Sequence, residues 1–202
     1  MPIATPVKSP LRDRRRAAVE RIALDLALEH GYDAVTVEMI CDAALVSPST
    51  FFNYFGCKER AVLGPEPPPL EEARLAAFAA GTGDALTELM LMLVATWPDD
   101  PAERDVLLRR LDLIERTAAL RAAHLARIDQ ASEQVEQAAL RRLSRQRATQ
   151  PAATERAQML MALSHAAMHW MIRRLRVERA TPWPVLVDRA VAVLREVAGG
   201  GA

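Results

Sequence analysis

Ser49, Thr50, Phe52, Asn53 and Tyr54 stand in the run PSTFFNYF, Pro48 to Phe55, which contains no charged side chain. Short hydroxyls, an amide and aromatic rings are unusual on a helix that would otherwise only meet water, where Glu and Lys are the ordinary choice. Their chemistry suits the DNA major groove. An amide can pair with adenine, a hydroxyl can reach a base edge or a phosphate, and an apolar ring can contact a thymine methyl. Phe51 and Phe55, four apart, share the opposite face and are expected to anchor the helix. The alternative is a small core helix whose second aromatic pair is buried as well.

Three breaks position this run. Thr36 can cap a helix whose apolar positions are Val37, Ile40, Cys41 and Ala44. Leu45 and Val46 interrupt it, and Ser47 with Pro48 opens the next helix, where proline at the first position loses nothing by lacking an N–H. Gly56 then stops that helix, and Cys57 or Lys58 starts another. Lys58, a cation beside a helix N-terminus, is placed to clamp a phosphate. Upstream, Lys8, Arg12, Arg14, Arg15, Arg16 and Arg21 outnumber Asp13 and Glu20. They are read as a basic arm that begins in a flexible proline-containing tail and reaches along the DNA backbone or into a minor groove, although a solubilising tail would look similar. The following helix is amphipathic through Val19, Ile22, Ala23, Leu26 and His30, with His30 a helix-end residue and not a ligand.

These residues resemble the DNA-binding region of the TetR family of transcriptional regulators. The resemblance is carried by Gly31-Tyr32, Thr36, the turn Ala44-Leu45-Val46-Ser47, the aromatic run Phe51 to Phe55, and Lys58-Glu59. Leu45 departs from the pattern, standing where the family usually has glycine, so it must either accept a positive φ or change the turn. Cys57 stands where serine is common. The resemblance implies that Thr36, Thr50, Tyr54 and Lys58 contact phosphates while Ser49, Phe52 and Asn53 face the bases, with Ser47 in the same surface.

Composition sets the frame around this head. The 26 basic and 26 acidic residues balance over 202 positions, so local placement of charge decides more than its sum. Abundant Ala, Leu, Arg and Glu, without alternating β-branched runs, predict an all-α protein. There is neither an N-terminal apolar region nor a membrane-length apolar run, which points to a cytoplasmic protein with no membrane partner. Cys41 and Cys57 form neither a disulfide framework nor a zinc spacing. Cys57 beside Lys58 is conceivable as a redox switch, but a small capping residue is the simpler reading. No cofactor is implied.

The organisation expected is a helix-turn-helix domain over residues 1–63, a proline-rich linker over 64–69, where Gly64 to Pro69 cannot continue a helix, and a helical body over 70–202. Helices are predicted in the body at Leu70 to Ala80, Asp84 to Trp97, Pro101 to Arg116, Ala118 to Arg147, Glu155 to Val177 and Pro184 to Val197, the last ended by Gly199, Gly200 and Gly201. In the long fourth of these, Leu125, Ile128, Ser132, Val135 and Ala139 are read inward and the arginines outward. The helix from Glu155 is apolar on two stripes, which calls for two partners. One stripe, Leu160, Met161, Ser164, Met168, Met171 and Leu175, together with Leu186, Ala190, Val193 and Leu194, is assigned to a homodimer interface. TetR relatives pair through their last two long helices, and two recognition helices read a palindromic site. Met90, Met92, Trp97, Met159, Leu163 and Trp170 are candidates to line a pocket for an apolar small-molecule effector, a role the resemblance implies, or to be plain core.

His165 and His169 have the spacing of two ligands to one metal, with Met161 or Met168 as a conceivable soft donor. No third ligand lies at an obvious distance, and no Glu adjoins the pair, no nucleophile is evident and no phosphate loop is present. The sequence therefore reads as a non-enzymatic, dimeric regulator of double-stranded operator DNA, a repressor released by an effector. The alternatives are an effector-independent dimeric regulator and a metal-dependent helical enzyme or metal sensor built on His165 and His169.

Overall fold

The computed structural model describes residues 10–66, 70–145 and 150–199, and among these described residues there are ten helices. Lys8 of the basic arm, Pro67 to Pro69 of the linker, the last residues of the helix expected to reach Arg147, and Gly200 and Gly201 lie outside the described residues. In order the helices are α1 (Pro10–His30), α2 (Val37–Ala44), α3 (Pro48–Phe55), α4 (Lys58–Leu63), α5 (Glu72–Ala80), α6 (Ala85–Val94), α7 (Pro101–Arg116), α8 (Ala118–Ser144), α9 (Gln150–Leu175) and α10 (Trp183–Ala198). Among the described residues every regular element is a helix, as the composition predicts.

The chain divides into two compact units. One comprises residues 1–66 with 109–126, the other 67–108 with 127–202, so α7 and α8 each run through the division. This departs from the expected linear split, which put 109–126 in the body. Two arginines account for the grouping: Arg109 pairs with Asp25 of α1 at 2.7 Å, and Arg110 Nε donates to the Val62 carbonyl of α4 at 3.1 Å.

In the first unit α1 packs on α2 and α4, and α2 on α3. Val19, Ala23, Leu24 and Ala27 of α1 are buried with Ile40, Phe51, Phe55, Ala61 and Val62. The basic stretch is not a flexible arm. Arg12, Arg14, Arg15 and Arg16 already belong to the first turns of α1, because nothing between Pro10 and His30 breaks a helix and Pro10 stands at its start, where proline is tolerated.

The second unit has two core clusters that share α6 and α9. Leu89 and Met92 of α6 face Leu75 and Phe78 of α5, Val135, Ala139 and Leu143 of α8, and Ala157, Leu160 and Met161 of α9. Met90 and Val94 face Ala167, Met171 and Leu175 of α9 with Trp183, Leu186, Ala190 and Val191 of α10. A helix apolar all round is the expected solution for an element between two such layers. Leu125 of α8, read as inward, is about half exposed.

Two arginines tie this unit together. Arg142 of α8, read as outward, is only 2% exposed. It pairs with Glu88 at 2.5 Å and donates to the carbonyls of Phe78 and Gly83, each at 2.9 Å, with its guanidinium 4.9 Å from the Phe78 ring centre. A Cβ on Gly81 or Gly83 would run into the Glu88 carboxylate, so the loop between α5 and α6 needs glycine to admit the pair. Arg104 lies against the Trp183 ring and donates to the carbonyls of Pro98 and Thr181. A periodicity argument puts every arginine outside, and it misses these because their partners come from elsewhere in the chain.

Candidate nucleic-acid interface

The local chemistry of the α2–turn–α3 segment follows the expected caps. Thr36 Oγ1 accepts from the Met39 amide at 3.2 Å and Ser47 Oγ from the Thr50 amide at 3.2 Å, satisfying donors that a helix start leaves free. Ser47 and Thr50 also join their hydroxyls at 2.9 Å. Between the helices Leu45 adopts φ 53° and ψ 46°, the left-handed conformation a glycine would take without strain. Its amide and that of Val46 return to the carbonyls of Asp42 and Cys41. The turn geometry is thus kept despite the leucine, whose side chain is 92% exposed and packs on nothing that would offset the strain.

On α3, Phe51 and Phe55 are buried and Phe51 meets Phe52 edge to face at 5.6 Å. Ser49, Phe52 and Asn53 are exposed, with Phe52 at 52%, and Thr50 and Tyr54 are half-buried. Phe52 and Tyr54 are therefore not a second buried pair. The Arg12 guanidinium lies 5.7 Å from the Tyr54 ring centre, so the start of α1 sets a cation beside the exposed face of α3. Arg14 and Arg15 are exposed on the same helix turn. Arg16 is used differently: its Nε donates to Glu20 at 3.0 Å and its guanidinium leans on Phe55, which holds its charge against the head's own core.

Lys58 departs most from expectation. Its ammonium donates to the carbonyls of Tyr32 and Val35 at 2.9 and 2.8 Å and sits 4.3 Å from the Tyr32 ring centre. It closes the loop between α1 and α2. The anion-favouring start of α4 is served instead by Glu59, whose carboxyl is held below its ordinary range first by its own backbone amide. Burial, with Glu59 nearby, pushes the Tyr32 phenol well above its usual range, so the ring stays neutral under the cation. Cys57 occupies the cap position of α4, but its side chain makes no cap bond, so the expected capping role is not taken up.

In the second unit the two expected residue sets are redistributed. Of the stripe assigned to a partner copy, Leu160, Met161, Ser164, Met171, Leu175, Leu186 and Ala190 are buried within this chain, Met168 and Leu194 are half-buried, and only Val193 is exposed. Two core clusters of the same chain already cover that stripe, leaving it no face for a second copy. The pocket candidates do not line one cavity. Met90 and Met92 belong to different clusters, Trp97 stacks edge to face on Trp183 at 4.9 Å, and Met159 is 60% exposed. Leu163 is half-buried, and Trp170 lies under the guanidinium groups of Arg174 and Arg189. Met92 alone of the set reaches a groove of about 420 Å³ on α5 and α6, lined by Arg74, Ala77, Phe78, Glu88, Leu91, Met92 and Ala95.

Comparison with known proteins bears on the head. Residues 21–60 match the model of the bacterial regulatory proteins of the tetR family. The HTH-type transcriptional regulator TcmR of Streptomyces glaucescens is 42% identical over 79 residues, 37% of this chain and 34% of that protein. The chain thus spans about a third of the length of this curated relative. Among solved structures, one described as a TetR-family transcriptional regulator from Syntrophomonas wolfei aligns with a TM-score of 0.49 and 18% identity over 94% of this chain and 97% of its own. Salmonella enterica GusR aligns with a TM-score of 0.48 and 16% identity over 95% of this chain and 100% of its own. Both scores fall below one half, and the assignment rests on the head alone. The head of the chain, over residues 21–60, is similar to the bacterial regulatory proteins of the tetR family.

Proposed function

We propose that the chain is a sequence-specific DNA-binding transcriptional regulator, acting as a homodimer on a palindromic double-stranded operator and as a repressor released by a small-molecule effector. The observation that carries this reading is the outer face of α3. It presents Ser49, Phe52 and Asn53 without a competing charge, with Arg12 beside Tyr54 and with Arg14 and Arg15 exposed. In this reading Ser49, Phe52 and Asn53 read base edges, Arg12, Arg14 and Arg15 supply phosphate contacts, and the hydroxyls of Thr36, Ser47 and Thr50 do so beside their caps. Lys58 fixes the loop that orients α2.

The pairing face proposed for the second copy is the reverse of the one expected. The outward stripe of α9, Met159, Ala162, His165, Ala166 and His169, is exposed and uncharged, and Val185, Ala192 and Val193 are exposed on α10. Two copies joined through it would present two recognition helices to one palindrome. An effector with different affinity for two spacings of the paired heads would shift the population off DNA. The dispersal of Met90, Trp97, Met159 and Trp170 supports a second reading, in which the body serves only to pair copies and no effector is bound.

The deciding experiment is salt-dependent binding to a palindromic fragment from beside the protein's own gene. Asn53→Ala is expected to weaken binding by about 1–3 kcal/mol and relax discrimination at one base pair. Undiminished binding in both Asn53→Ala and Tyr54→Ala would overturn the assignment of α3.

A further inference from the structure

The outer face of α3 restricts which bases it can read. Ser49, Phe52 and Asn53, at helical spacings of three and four, are exposed together and form one patch. Phe51, fully buried beneath it, meets the Phe52 ring edge to face at 5.6 Å, which holds that ring in one orientation while about half of it stays exposed. α3 carries no Arg or Lys, the side chains that take guanine through its O6 and N7. The cations around it are placed on other groups. Arg12 lies on the Tyr54 ring, Lys58 is held by the Tyr32 and Val35 carbonyls, and Arg60 stands at the far end of α3, 4.0 Å from where a Cβ on Gly56 would be. Of the groups in the patch, an amide pairs with adenine through N6 and N7 and an apolar ring packs on the thymine methyl, whereas a serine hydroxyl does not discriminate.

We infer that the base pairs read by α3 in each half-site are A·T pairs, with one adenine held by Asn53 and one thymine methyl covered by Phe52. This rests on the assignment of α3 to the major groove and goes beyond it in naming the bases. Consecutive helical residues diverge by about 100°, so Phe52 and Asn53 address different base pairs. Ser49 and Asn53, one turn apart with Cβ atoms about 5–6 Å from each other, span about two base-pair steps of about 3.4 Å. A guanine opposite Asn53 would set its O6 or its N7 against the amide oxygen, acceptor against acceptor. A cytosine opposite Phe52 would offer the ring no methyl group.

The test lets the full chain select duplexes from a randomised pool and then alters one half-site of the selected sequence, one base at a time. Uracil in place of thymine removes only the methyl, and 7-deazaadenine in place of adenine removes only N7. At the contacted positions the first should weaken binding about fourfold, as expected for one buried methyl group, and the second about fivefold, as expected for half of a bidentate pair. The uracil effect should vanish in Phe52→Ala and the deazaadenine effect in Asn53→Ala, a coupling that damage to the fold does not imitate. Both variants alter exposed side chains, so the head keeps its core. Selective binding that is indifferent to both analogues, or that loses as much in the matching variant as in the native chain, would overturn the base assignment and leave the regulator reading standing. A pool from which no sequence is enriched would overturn that reading and the base assignment with it.

Discussion

Lys58 in the head and Arg142 in the body do the same job under different conditions. Each cation gathers backbone carbonyls from a loop distant in sequence, Tyr32 and Val35 in one case, Phe78 and Gly83 in the other. Each also lies against an aromatic ring, of Tyr32 or Phe78. They differ in surroundings. Arg142 is almost wholly buried and neutralised by Glu88, whereas Lys58 is half-buried and keeps water within reach. A charge tie in a dry interior becomes indispensable to the groups it has desolvated. At a wet rim it is one contributor among several.

Removing the arginine is the strongest way to break the comparison. Arg142→Met should cost about 3 kcal/mol by urea denaturation at neutral pH, because it removes the donor shared by the Glu88 carboxylate and the Phe78 and Gly83 carbonyls, although Glu88 keeps the Gly83 amide and Phe78 the Gly81 amide. The pH dependence should change with it. Hydrogen bonding from Arg142 holds the Glu88 carboxyl below its ordinary value of 4.5. A depressed folded-state pKa contributes stability that is fully present above the unfolded value and is lost as pH falls through the folded one. The native chain should therefore lose this contribution as acid is added below pH 4.5, and Arg142→Met should show a flatter acid limb. An equally steep limb in both proteins would separate Glu88 from the tie.

Lys58→Met should cost less, about 2 kcal/mol, since two charge-assisted bonds are lost at a site where water can replace part of them. It also separates two roles. As a loop tie, Lys58 contributes to stability and not to counterion release, so the slope of log affinity against log salt should stay as in the native chain. Arg12→Ala, which leaves the core alone, should reduce that slope by about 1. A slope reduced by Lys58→Met as well would return the lysine to the phosphates.

Legibility followed the range of the interactions. α2 and α3 could be placed to the residue because Thr36, Ser47, Pro48 and Gly56 act on neighbours within one turn, and Phe51 with Phe55 left α3 only one face to bury. The body helices could be located from Pro98, Pro101 and the apolar periodicity for the same reason. What each face meets could not be read. α9 carries apolar residues on two stripes, and nothing local says which one α6 and α10 will cover. The stripe expected to face a partner copy is core, and the exposed one carries Met159 and the two histidines. Lys58 and Arg142 escaped for a stronger reason. Their partners lie 23 to 64 residues away, and at such separations residue type alone makes a surface charge the default reading.

The smallest effect tests the turn between α2 and α3. Leu45 sits at φ 53° in the turn between α2 and α3 with its side chain almost fully in water. A left-handed non-glycine residue costs about 1–2 kcal/mol, while glycine gives back about 0.5–1 kcal/mol through the greater freedom of the unfolded chain. Leu45→Gly should therefore stabilise the head by at most about 1 kcal/mol, seen as a small upward shift of the denaturation midpoint without a change in its slope. Operator affinity should stay the same, because the αL geometry that sets α3 against α2 is already adopted by the leucine. A loss of affinity with a gain in stability would mean that the exposed leucine itself touches DNA, and would move the boundary of the interface from α3 into the turn.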